Sequence, residues 1–144
     1  MSESDDIREL LERRAAALRA GDAERLVADY LPDVVAFTLA PPLAHTAPEV
    51  LDPEAKRAWL ASFDSAVDFE VRDLRISVDG DLAFCHSLNR MSAVPRGRQE
   101  PFTLWYRSTV CLRRVDGVWR VAHEHDSTPF HMDGSFSAAL DLTP

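Results

Sequence analysis

Residues 107–129 read RSTVCLRRVDGVWRVAHEHDSTP. Two β-rich runs flank Asp116-Gly117, a strong short-range hairpin signal, because both central residues of the tight turn that suits a twisted hairpin need positive φ. The returning run packs a Trp, two His, a Glu and an Asp between Trp119 and Asp126. The pattern predicts long strands over 102–115 and 118–127. Upstream, 67–78 and 82–94 read as two more strands joined at Asp79-Gly80-Asp81. In the first of them Val71 and Leu74 are three apart, so the alternation slips phase. A bulge near Arg72-Asp73 would account for that. The loop 95–101 separates the two pairs.

The N-terminal part has helical spacing. Ser4 is placed to cap a first helix, with Asp5 and Asp6 in its first turn, where the helix dipole favours acids. Ile7, Leu10, Leu11, Ala15 and Leu18 make one apolar stripe, and Gly21 ends it. Asp22 caps a shorter helix that carries Leu26, Val27 and Tyr30, with Pro32 as its stop. Residues 34–39 are a short β-rich run, and 43–51 read as an irregular loop. Asp52-Pro53-Glu54 opens a third helix, with Trp59 and Phe63 on its inner face.

Helices first and long antiparallel strands second imply an α+β fold. Three N-terminal helices on one face of a bent sheet make a cone with room for a cavity. The 144 residues fit one domain, 1–144, whose tail, 128–144, packs back on the body through Phe130, Phe136 and Leu140. A net charge of −8 disfavours nucleic acid and anionic membranes as partners. No run reaches the length of a membrane span, and the acidic start MSESDDIREL is no secretory signal. Cys85 and Cys111 lie inside strands without a CxxC spacing, which points to free thiols in a reducing cytoplasm.

This order of elements resembles the NTF2-like superfamily, the fold of ketosteroid isomerase and SnoaL-like polyketide cyclases. The resemblance rests on RAAALRAGD (14–22), YLPD (30–33), and VDGVW (115–119) followed by His123-Glu124-His125. That last stretch also looks like the hub domain of calcium/calmodulin-dependent kinase. By resemblance, the helix-one tyrosine of the isomerase falls on Arg14, and its general-base aspartate near Thr38 or Ala40. Neither supplies that chemistry, so steroid isomerisation is not expected. Cyclases and limonene epoxide hydrolases carry an acid on the last strand, at the position of Glu124. The hub carries a pocket arginine two residues on, where this chain has Asp126.

Two hairpin registers compete. A two-residue turn opposes Leu112 to Val121 and Val110 to His123, which puts His123 and His125 on the apolar face. A three-residue loop with a glycine bulge shifts the register by one, and Val110 then shares a face with Ala122, Glu124 and Asp126. The hydrophobic pattern favours the first register. The family positions favour the second.

Glu124 and Asp126 are the candidate proton-transfer groups, and Glu124 is expected to be buried with a raised pKa and few partners. Tyr30, Trp59, Phe63, Asn89, Val110, His123 and His125 are the candidate ligand-binding residues. Two His at strand spacing suit a metal, with His86 or His131 as a third, but no acidic partner is set by the spacing, so no metal is expected. No phosphate loop, dinucleotide fingerprint or nucleophile elbow appears, so no cofactor is expected. The reading is a protein that binds a small, largely apolar organic molecule. If it is an enzyme, it is a cofactor-independent isomerase, cyclase or hydrolase. The alternative is a non-catalytic sensing or assembly module. Trp105, Tyr106, Val110, Leu112, Trp119 and Val121 exceed what three helices can cover, which predicts a homodimer through the outer sheet face.

Overall fold

The computed structural model describes residues 2–144. Helices α1 (Glu3–Ala20), α2 (Ala23–Val27) and α3 (Pro53–Leu60) accompany six strands. These are β1 (Tyr30–Phe37), β2 (His45–Thr46), β3 (Asp68–Asp79), β4 (Leu82–Ala93), β5 (Phe102–Val115) and β6 (Val118–Ser127). They form one sheet in the order β2-β1-β6-β5-β4-β3. Every pair is antiparallel except β1 with β6. The sheet is curved and open, and the helices pack on it, so the expected α+β cone is the observed architecture.

Local chemistry sets the ends of the helices. The cap of α1 is Ser2, two residues before the expected Ser4. Its hydroxyl accepts from the Asp5 N–H, while the Asp5 carboxylate accepts from the Ser2 N–H. Gly21 ends the helix at φ 69°. Asp52 caps α3, and Pro53 occupies its first turn.

The second helix is shorter than its sequence suggests. It stops at Val27, and Tyr30 already belongs to β1. Pairing with β6 takes over here. The Val121 N–H donates to the Asp29 carbonyl at 2.8 Å, and Tyr30 lies opposite Val121. Pro32 does not stop a helix. It sits in a strand irregularity between Tyr30 and Val35, where no ladder N–H is required of it.

The two-residue turn forms and the three-residue loop does not, yet a bulge farther along β6 gives Glu124 and Asp126 the face that the second register implied. Asp116 (φ 51°) and Gly117 (φ 79°) form a two-residue turn, and Leu112 opposes Val121. The register then shifts, so that Cys111 opposes His123 and Val110 opposes Glu124, with Ala122 left over. This bulge turns Glu124 and Asp126 inward and His123 and His125 outward. A second bulge interrupts β3 between Arg72 and Arg75, with Asp73 at φ 57°, where the phase slip places it.

The core gathers Ile7 and Leu10 of α1 against Val34, Leu112, Trp119 and Val121 of the sheet. Of the six side chains expected to overflow, only Trp105 faces outward. Strand alternation and the bulge send Tyr106, Val110, Leu112, Trp119 and Val121 to the helix-covered face. The expected core role of Trp59 is not met. It is 38% exposed and packs edge-on against Phe63 at 5.3 Å. The tail folds on itself where Phe130 pairs with Ala138, and Ala139 is buried. No helix of the described residues is long and apolar enough to cross a membrane.

Truncation should separate these positions. Leu112→Ala, at a site 1% exposed, is expected to cost about 2–5 kcal/mol. Trp59→Ala should cost about 1–2 kcal/mol, because only part of its surface leaves water. Denaturant titration of both variants checks the order, and an equal or larger loss at Trp59 would contradict it.

Candidate functional site

The concave face of the sheet and one side of α1 enclose a cavity of about 120 Å³. Leu11, Arg14, Ala15 and Leu18 line it from α1, and Phe69, Val71 and Leu74 from β3. The inward residues of the other strands complete the wall: Cys85, Ser87 and Asn89 of β4, Tyr106, Ser108 and Val110 of β5, and Glu124 and Asp126 of β6. One half is apolar. The other is a band of hydroxyls, an amide and two carboxylates. Alternation accounts for the band, since each of these residues is two positions from the next on its strand.

Glu124 is held by two partners. Arg14 Nη2 donates to Glu124 Oε2 at 2.7 Å and to the Tyr30 hydroxyl at 3.1 Å, and the Tyr30 hydroxyl donates to Glu124 Oε1. The guanidinium also lies 5.2 Å from the centroid of the Tyr30 ring. The Arg14 and Glu124 side chains are only 16% and 13% exposed. Burial alone would push the Glu124 carboxyl up. The charge of Arg14 and the hydrogen bonds from Tyr30 and Arg14 outweigh burial and hold it below the usual carboxylate range. The expectation of a raised pKa and few partners at Glu124 is therefore corrected. The partner comes from a helix 110 residues away in sequence.

Asp126 takes the opposite course. Burial first, and the neighbouring Glu124 charge second, push its carboxyl up to about 6, against a hydrogen bond from Ser108. Tyr106 is pushed above the ordinary phenol range by burial and then by the charge of Asp126. Asn89 is buried, opposes Tyr106 across β4 and β5, and accepts from the Ser87 hydroxyl through Oδ1 at 2.8 Å. Its Nδ2 is thereby the donor end.

The structure brings Glu124, Asp126, Asn89 and Val110 together in the cavity wall, with Tyr30 behind Glu124. It does not bring the other expected ligand contacts there. Trp59 and Phe63 lie at and beyond the end of α3, outside the wall. His123 and His125 stand on the outer face around Phe37, at 4.8 and 5.3 Å between rings. The Nδ1–H of His123 donates to the Val35 carbonyl. The bulge at Ala122 is the reason. Among the described residues no group of three or more His, Cys, Asp or Glu is arranged to hold a metal. Sequence reasoning did not name Arg14, Tyr106, Ser87 or Ser108 among the candidate site residues, although all four line the wall. The signal for Arg14 was present: it lies four residues from Leu10 and from Leu18, on the apolar stripe of α1.

Comparison with known proteins agrees with this fold. Residues 7–131 match the SnoaL-like domain. An NTF2-like protein of unknown function from Pseudomonas putida KT2440 is 33% identical, over 100% of this chain and 99% of its own, with a TM-score of 0.84. The chain belongs to the SnoaL-like domain family, within the NTF2-like group. At 16% identity the fold alone is shared with two further structures. One is provisionally named a calcium/calmodulin dependent protein kinase II association domain, from Xanthomonas campestris (TM-score 0.74, 99% and 91% of the two chains). The other is provisionally named a scytalone dehydratase, from Novosphingobium aromaticivorans DSM 12444 (TM-score 0.77, 89% and 85%). No functionally curated protein matches the sequence.

The two carboxyls predict opposite pH effects on stability. Asp126 has a folded pKa above its unfolded value, so its contribution is complete below pH 3.8 and is lost as pH rises through about 6. The full amplitude is roughly 3 kcal/mol. Asp126→Asn should abolish that decline, as measured by urea titrations between pH 4 and 7. Glu124 is depressed, so its contribution is present above its unfolded pKa and is lost as pH falls through its folded one. Arg14→Met should cost about 3–5 kcal/mol at pH 7, because it leaves Glu124 buried and unpaired. The double variant with Glu124→Gln should recover much of that loss, and failure to recover would show that the pair is not the cause.

Proposed function

We propose that the cavity binds a small, largely apolar organic molecule and that Asp126 moves a proton on it. The observation that carries this reading is the split between two neighbouring carboxyls. Glu124 is clamped as an anion by Arg14 and Tyr30, while Asp126 rests near the pH where it can both take and give a proton. A ligand lodged against Leu11, Leu18, Phe69 and Val71 would present its polar end to the band on β4, β5 and β6. Asn89 Nδ2 and the Tyr106 hydroxyl are then placed to donate to an oxygen of the ligand, next to the proton that Asp126 exchanges. Proton transfer beside a carbonyl or hydroxyl is the reaction class this supports, of the isomerase, cyclase or dehydratase kind. The dehydratase name carried by a structural relative is compatible with it.

The second reading is an assembly module, favoured by the ionised, paired state of Glu124 and by the outer face. There Phe84 is half exposed beside Cys111 and the Phe37–His123–His125 cluster. A homodimer through this face is compatible with either reading, and unpaired thiols on both faces suit the cytoplasm.

Proton transfer is tested with cyclohexanone in D₂O, following deuterium uptake beside the carbonyl. The wild-type protein should accelerate uptake, and Asp126→Asn should lose roughly 10²–10⁴-fold of the acceleration with its fold intact by circular dichroism. No acceleration by the wild type, together with a large discrete assembly in light scattering, would favour the module.

A further inference from the structure

The polar band has a charge balance that bears on which ligands can enter. Arg14 is the one cationic residue in the cavity wall, and its guanidinium is already engaged by Glu124 and Tyr30. Lys56 of α3 lies outside the wall and forms no ion pair with either carboxyl among the described residues. The wall therefore holds one positive and two negative groups, and Asp126 has no cation of its own. Among the described residues no cation lies within ion-pair distance of it, and the neutral Ser108 is its hydrogen-bonding neighbour. A carboxylate ligand would be a third anion beside one cation, in a cleft whose apolar half leaves little water to screen it. The net charge of −8 on the chain acts the same way at longer range.

We propose that the cavity selects its ligand by charge, accepting an uncharged or cationic small molecule and rejecting carboxylates. This rests on the cavity-ligand reading above and adds the class of compound. An uncharged alcohol or ketone adds no charge to the wall and can use Asn89 Nδ2, the Tyr106 hydroxyl and the Asp126 carboxyl. An ammonium group supplies the counter-charge that Asp126 lacks, and the aromatic residues Tyr106 and Phe69 line the same cavity. The competing attraction is Arg14 Nε, which is buried without a hydrogen-bond partner. That atom belongs to a guanidinium already neutralised at 2.7 Å by Glu124, so an incoming carboxylate would have to displace an intramolecular partner.

The test uses three probes of nearly one shape: benzyl alcohol, benzylamine and benzoate. Each is titrated at pH 7 into ¹⁵N-labelled full-length protein, following amide shifts along β4, β5 and β6. Benzyl alcohol and benzylamine are expected to bind on the order of tenfold or more tightly than benzoate. Asp126→Asn should narrow the gap by strengthening benzoate and weakening benzylamine. Benzoate binding in the wild-type cavity as tightly as the alcohol would overturn charge selection and leave the cavity-ligand reading standing. If none of the three shifts the cavity amides while the protein is folded, the cavity-ligand reading itself fails, and charge selection falls with it. The wild-type comparison decides the matter even if the variant does not fold.

Discussion

A carboxylate turned into the concave face of a helix-covered sheet must find a positive charge or give up its own. At Glu124 that demand is met by Arg14, and much of the architecture follows from it. The pair ties the middle of α1 to the last strand, and the Tyr30 hydroxyl brings the start of β1 to the same point. Three segments remote in sequence are thereby held in one register. The arrangement is not a general source of stability, since a buried ion pair roughly breaks even against well-packed apolar side chains. Its consequence is positional, because a shift of α1 that parts the pair leaves a charge buried alone.

The same constraint explains why the two acids in the cavity shift in opposite directions. Glu124 and Asp126 are two residues apart on one face of β6, in the same buried polar band of the cavity wall. One cation cannot serve both. Arg14 sits on Glu124, and Glu124, kept ionised, then acts on Asp126 as a fixed negative charge that opposes its ionisation. The environments of the two groups are driven apart by a single contact. That is the general condition under which two carboxyl groups can take different chemical roles.

Much of the fold was legible because its signals are local. The turn at Asp116-Gly117, the caps of α3, the glycine after α1 and the phase slip at Asp73 each depend on a few neighbouring residues. What escaped was set by distant pairing. Residues near Tyr30 have helical spacing, but β6 offers them a parallel ladder, and the ladder wins. Trp59 and Phe63 look like an inner helix face, yet α3 ends at Leu60 and packs against α2, and the two rings pack on each other. The site was half legible for the same reason. Glu124, Asp126 and Asn89 show themselves as polar residues in apolar strands. Arg14 shows itself only as a charge on an apolar stripe, and nothing local says which acid it meets.

The bulge at Ala122 is the smallest feature with the largest consequence. Before it, alternation along β6 puts Trp119 and Val121 into the core. After it, unbroken alternation would put His123 and His125 there as well, with Glu124 and Asp126 on the outer face. One extra residue reverses the assignment. It sends two carboxyls into the cavity and two imidazoles out to Phe37. The hydrophobic pattern could not reveal this, because His is tolerated on either face and Ala122 is neutral to both. Which face of the last strand lines the cavity is therefore decided by backbone geometry. A relative with the same acids but no bulge would carry them on its surface, so identity of residues on this strand is informative only together with the register that aims them.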